Sequence, residues 1–127
     1  MTQTFPMLPG ECWWGGCVNQ GHLMPLNEKS RVLMDPFHGR ENDQFAPLYV
    51  SSKGRYLWSE RPYTLRAENG VMTCEGAGEA VLSEGHDNLK GAYLAACAAH
   101  FPFTGTLPDQ RFFTQPQYNT WIELGTD

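Results

Sequence analysis

The chain has 127 residues, 41% of them hydrophobic and 13% aromatic, enough to close one core and too few for two domains of ordinary size. Nine Lys+Arg stand against 14 Asp+Glu, a formal charge of −5 without charge runs, which argues against a nucleic-acid partner. No apolar stretch approaches the ~20 residues that span a bilayer, and Met1 to Pro6 lacks the basic-then-apolar order of a secretory signal, so a soluble cytoplasmic protein with no membrane partner is expected.

Thirteen glycines and nine prolines cut the chain into short pieces rich in Trp, Tyr, Val and Leu, the pattern of a mainly β protein. Cys12-Trp-Trp14 runs into Gly15-Gly16, which suits a strand that ends where two backbones approach closely. Pro36 to Phe45 carries no period and reads as a loop. Ala46 to Ser51 and Arg55 to Ser59 flank Ser52-Lys53-Gly54 as a hairpin, with Leu48 and Val50 sharing one face and Tyr56 and Trp58 sharing one on the partner strand. Tyr63 to Ala67 and Val71 to Cys74 form the clearest hairpin, because Asn69-Gly70 supplies the positive φ angles of a type I′ turn. Tyr63, Leu65 and Ala67 alternate with Thr64 and Arg66, which predicts one buried and one wet face. Glu79 to Leu82 is expected to extend the same meander.

The segment from Asn88 to Phe101 breaks the β pattern. It follows Asp87, a candidate N-cap, is rich in alanine, and places Leu89, Tyr93, Ala96 or Cys97, and Phe101 on one stripe at helical spacing. Gly91 weakens its first turn by ~1 kcal/mol and Phe101-Pro102 stops it. A Pro/Gly-rich passage from Pro102 to Pro108 follows, then Arg111-Phe-Phe113, then Gln115 to Leu124 with a strand-like end. The expected fold is an antiparallel β-sandwich with one α-helix near the C-terminal third.

Candidate chemistry is sparse. Cys12, Cys17, Cys74 and Cys97 form no Cys-x-x-Cys pair, and His22, His38, His86 and His100 show no i, i+4 spacing, so reduced thiols and no metal are expected. The chain holds no nucleophile elbow, P-loop, dinucleotide fingerprint or His-Glu-x-x-His. Asp35, Glu41, Asp43, Glu60 and Glu123 are the acids from which a glycosidase-type carboxylate pair would have to come. Trp13, Trp14, Trp58, Trp121 and the five tyrosines are either core or stacking platforms for sugar rings, with core the commoner fate. The polar loop His38 to Gln44 offers His38, Arg40, Asn42 and Asp43 as ligand contacts.

At the tail, Phe112-Phe-Thr-Gln-Pro-Gln-Tyr-Asn-Thr-Trp-Ile-Glu-Leu124 resembles the junction in glycoside hydrolase family 31 where an N-terminal β-sandwich passes into the first strand of a catalytic (β/α)₈ barrel. Three earlier stretches carry the likeness in the same order: Glu11 to Gly16 with Gly21 to Pro25; Pro47 to Pro62; and Leu89 to Ala96 followed by Phe101-Pro-Phe-Thr-Gly105. The resemblance implies a parent reaction of retaining α-glycoside hydrolysis, with a carbohydrate as substrate and no cofactor. It also implies an N-terminal region covering residues 1–111, including helix 88–101, with 112–127 as linker and first-strand remnant.

The family's aspartate nucleophile sits in a Trp-x-Asp-Met-Asn-Glu-like stretch that this chain lacks, and Trp58-Ser-Glu60 and Trp121-Ile-Glu123 are only superficially like it. No catalytic residue carries over, since retention needs two carboxyls about 5–5.5 Å apart on a rigid scaffold. By position, the loop from Phe37 to Gln44, with His38, Arg40, Asn42 and Asp43, matches the stretch that reaches the rim of the sugar pocket. Trp121 and Glu123 match the stretch near its floor. The implied partners are the carbohydrate and the barrel, with a homo-oligomer as one way to cover an unpaired strand over Tyr118 to Leu124. A free-standing carbohydrate-binding module with aromatic platforms is the alternative, and a small enzyme using local carboxylates is a third.

Overall fold

The computed structural model describes residues 1–38 and 44–120. In chain order its strands are β1 (Thr2–Pro6), β2 (Trp13–Cys17), β3 (Val32–Met34), β4 (Phe45–Ser51), β5 (Tyr56–Trp58), β6 (Tyr63–Glu68), β7 (Val71–Gly76) and β8 (Val81–Ser83). A 3₁₀ turn covers Val18–Leu23, and two helices follow the strands, α1 (Leu89–His100) and α2 (Arg111–Thr114). The strands form two four-stranded antiparallel sheets, ordered β1-β7-β6-β3 and β2-β4-β5-β8, as expected for a β-sandwich. Trp13, Tyr49 and Leu57 from one sheet and Met34, Leu65, Met72 and Cys74 from the other fill the space between them. Each fully buried large apolar side chain contributes about 1.5–3 kcal/mol.

Local signals explain most of this. The β6–β7 turn has positive φ at both Asn69 (53°) and Gly70 (72°), as a type I′ turn requires, and Tyr63, Leu65 and Ala67 alternate inward. In the β4–β5 hairpin Leu48 pairs with Trp58 and Val50 with Tyr56, so these four do share a face. That face looks away from the sandwich interior and receives α1, forming a second small core with Ala92 and Ala96.

Four expectations are corrected. β2 does not end at Gly15-Gly16; it continues to Cys17 through a register shift between the two glycines. The close approach itself is real, because a Cβ on Gly15 would lie 2.1 Å from the Leu48 carbonyl oxygen. The strand expected over Glu79 to Leu82 covers Val81–Ser83 and crosses to β5 in the other sheet instead of extending the β6–β7 meander. Asn88, and not Asp87, caps α1: its side chain accepts from the Gly91 N–H, while Asp87 takes a positive φ of 66°. The buried stripe of α1 is Ala92 and Ala96, with Leu89, Tyr93 and Phe101 exposed, because Tyr56 and Trp58 already fill the sheet face and leave room only for small side chains. Residues 116–120 form no strand, and 121–124 lie outside the described residues.

Candidate functional site

Of the residues singled out from the sequence, His38 is described, whereas Arg40, Asn42, Asp43, Trp121 and Glu123 lie outside the described residues. His38 follows β3 in a bend, and its Nδ1 lies 2.9 Å from Asp35 Oδ2. Asp35 Oδ1 accepts from the Phe37 N–H at 2.8 Å. These two contacts, the backbone one first, hold the Asp35 carboxyl below the usual aspartate range. The arrangement orients an exposed imidazole at the start of the loop expected at the pocket rim. Of the other candidate acids, Glu60 accepts from the Trp58 indole N–H at 3.1 Å, and Glu41, Asp43 and Glu123 lie outside the described residues.

The second candidate surface begins where α1 docks. His100, the last residue of α1, stacks on Trp58 with ring centres 4.5 Å apart and 20° between planes, and meets Tyr56 edge-on at 5.6 Å. His86 stacks on Tyr56 at 5.5 Å and shares a 2.8 Å hydrogen bond with Ser83 Oγ. Phe101 packs edge-on against Trp58 at 5.1 Å while remaining 54% exposed. From Phe101 to Thr120 every residue is exposed, including Phe103, Leu107, Phe112, Phe113 and Tyr118. The segment is held locally by pairs such as Arg111 with Asp109 at 3.0 Å and by the α2 turn. Prolines 102, 108 and 116 limit regular structure along it.

Reading the sequence residue by residue did not reveal a buried ionic cluster. Glu11 and Arg55 are 1% and 6% exposed. The Glu11 carboxylate accepts from Arg55 Nε at 2.8 Å, from Arg55 Nη2, from the Ser51 hydroxyl and from the Leu8 N–H at 2.8 Å. Arg55 also donates to Glu84 and to the Pro6 carbonyl, both at 3.0 Å, and its guanidinium lies 5.3 Å from the Trp13 ring centre. Burial alone would raise the Glu11 pKa, but the bonds from Arg55, Ser51 and Leu8 outweigh it and the net shift is downward. The cluster pins the loop between β1 and β2 to the β4–β5 turn and has the character of a structural clamp. Its only sequence signal is a lone carboxylate between Gly10 and Cys12-Trp13, with a lone arginine at the matching hairpin.

The four cysteines are free, with Cys17 and Cys74 buried, and burial pushes the Cys74 thiol up to about 12. Burial likewise raises the phenols of Tyr49 and Tyr63. Among the described residues no group of three His, Cys, Asp or Glu is placed to hold a metal ion, and no helix is long and apolar enough to cross a membrane. Trp13, Trp58, Tyr49, Tyr56 and Tyr63 are core residues, and the exposed aromatics concentrate on α1 and the segment beyond it. No model of a known protein family matches the chain, and neither does any curated protein.

Proposed function

We propose that the chain is the non-catalytic N-terminal β-sandwich of a family 31 glycoside hydrolase, whose parent reaction is retaining hydrolysis of α-glycosides in the cytoplasm. The observation that carries this is the run from Phe101 to Thr120, which leaves the sandwich with six large apolar side chains uncovered. A surface of that kind is where a soluble domain meets another protein surface. In this proposal the other surface is a catalytic barrel continuing from the same chain. The exposed His38, oriented by Asp35, supports a rim role for the loop that begins there. The free cysteines are in keeping with a reducing compartment. Burial of Trp13 and Trp58 weighs against the alternative of a sugar-binding module that stacks its ligand on tryptophan platforms.

The test is to read the coding sequence past codon 127 and to weigh the native product by intact mass. The expected result is an open frame that continues into an alternating α/β pattern containing the Trp-x-Asp segment. A stop codon directly after Asp127, with a native mass of 14.3 kDa, would overturn the proposal. Purified as 127 residues, the chain is expected not to cleave aryl α-glycosides.

A further inference from the structure

Beyond the glycosidase proposal, the sheet edges differ from one another in a way that points to a partner. At β1, the Gln3 side-chain amide takes both backbone groups of Ala80, at 2.9 and 2.7 Å. At β2, Trp13 and Leu26 exchange two backbone hydrogen bonds of 2.8 and 2.9 Å. β8 is flanked by Glu79 and Glu84, so two such edges brought together would repel. β3 is the remaining edge, and among the described residues its backbone bonds only to β6. An uncovered edge of this kind is a template for another strand.

The residues along β3 select which strand. Arg31-Val32-Leu33-Met34-Asp35 is self-complementary when read antiparallel about Leu33. A two-fold axis through Leu33 puts Arg31 opposite the second copy's Asp35, and Asp35 opposite the second copy's Arg31. The pleat supports this register: Met34 is fully buried and Val32 packs against the core, so residues 31, 33 and 35 belong to the outer face. On that face Leu33 is 46% exposed and the Arg31 side chain 74%. A cleft of about 210 Å³, lined by Arg31, Val32, Leu33, Arg66, Ala67 and Glu68, lies beside the strand. Arg66 does not oppose the pairing. Strands are spaced ~4.8 Å apart, so the two Arg66 copies would sit three spacings or ~14 Å apart, beyond the ~8 Å screening length at physiological salt.

We propose that two copies of the chain pair antiparallel along β3, joining their four-stranded sheets into one continuous eight-stranded sheet with Leu33 on the two-fold axis and Arg31–Asp35 pairs on either side. The seam is short, so association is weak and concentration-dependent.

Sedimentation equilibrium of the 127-residue chain, from about 10 μM to about 1 mM, reads this directly. The expected molar mass rises from 14.3 kDa toward twice that value. Leu33→Lys, at a half-exposed position, is expected to weaken association at least ~10-fold with an unchanged circular dichroism spectrum. Arg31→Glu is expected to weaken it too, and adding Asp35→Lys to restore it. A mass of 14.3 kDa at every concentration overturns the proposal, as does association that neither Leu33→Lys nor Arg31→Glu reduces. Association abolished by Phe112→Ser with Phe113→Ser would place the seam on the exposed C-terminal segment and also overturn it. If Leu33→Lys fails to fold, the Arg31 and Asp35 variants decide alone.

Discussion

Glu11→Ala is expected to destabilise the fold by about 3–5 kcal/mol, the range for removing one partner of a buried ion pair. In the native protein the carboxylate accepts four hydrogen bonds, two of them from a guanidinium whose side chain is 7% exposed. Four charge-assisted bonds at about 1.5–3 kcal/mol each would suggest a larger loss. The native state, however, bears the cost of desolvating that carboxylate, and the alanine variant does not. What remains is a buried arginine with Glu84, 60% exposed, as its sole charged partner, together with an unanswered Ser51 hydroxyl and Leu8 N–H.

Urea unfolding followed by tryptophan fluorescence measures this. With a slope near ~2 kcal/mol/M the midpoint should fall by about 1.5–2.5 M. A fall below about 0.5 M would refute the assignment of Glu11–Arg55 as the clamp between the β1–β2 loop and the β4–β5 turn. Replacing both partners, Glu11→Leu with Arg55→Met, should recover most of the loss, because the buried charge goes with its counterion. The pH dependence has a definite sign. Glu11 is more acidic folded than unfolded, so its stabilisation is fully present above the unfolded glutamate pKa of about 4.3. It is lost as the pH falls through the lower folded value. Glu11→Ala should therefore flatten the acid limb of the stability curve.

Three further substitutions have directions set by the structure. Gly91→Ala should lower the melting temperature even though alanine favours helix by ~1 kcal/mol, because its Cβ would lie 1.9 Å from the His86 carbonyl oxygen and force α1 off the sheet; a rise in thermal unfolding temperature would contradict this. Gly15→Ala meets the Leu48 carbonyl oxygen at 2.1 Å and should open the β2–β4 pairing, visible as faster amide exchange in both strands, so unchanged protection there would count against it. Asn88→Ala removes the cap that accepts from the Gly91 N–H and should cost about 1 kcal/mol in chemical denaturation, whereas Asp87→Ala should not reproduce that loss.

The elements legible from the sequence were those whose signal is local. Asn69-Gly70 specifies a turn by backbone chemistry alone, and the alternation of Tyr63, Leu65 and Ala67 needs no partner to be read. β1 and β3 escaped notice because an edge strand is paired on one side and weakly patterned: Thr2–Pro6 is mostly polar, and Val32–Met34 is too short to show a period. β8 was visible as a strand but not as a sheet change, since its partner β5 lies more than 20 residues earlier. The Glu11–Arg55 pair spans 44 residues, and nothing near either residue marks it. For the candidate site, only the Asp35–His38 contact, three residues apart, is of the kind that sequence can suggest.

The α1 stripe failed for a reason that bears on where partners can bind. Period alone ranks Leu89, Tyr93 and Phe101 as the buried face, but the volume beneath α1 is set by the sheet, where Tyr56, Trp58, Leu48 and Val50 already stand. The helix therefore docks through alanines and turns its larger side chains outward. The outer face of the other sheet is polar instead, presenting Thr4, Thr73, Arg66 and Glu75. Exposed apolar surface is consequently displaced to one end of the molecule, along the outer side of α1 and into residues 101–120, with Leu33 as a separate exposed leucine at the opposite sheet's edge. A protein surface extending the chain would find its apolar complement at the first location. A second copy would find a strand edge at the other. The two contacts use different residues, so variants of Phe112 and Phe113 and variants of Leu33 should act independently.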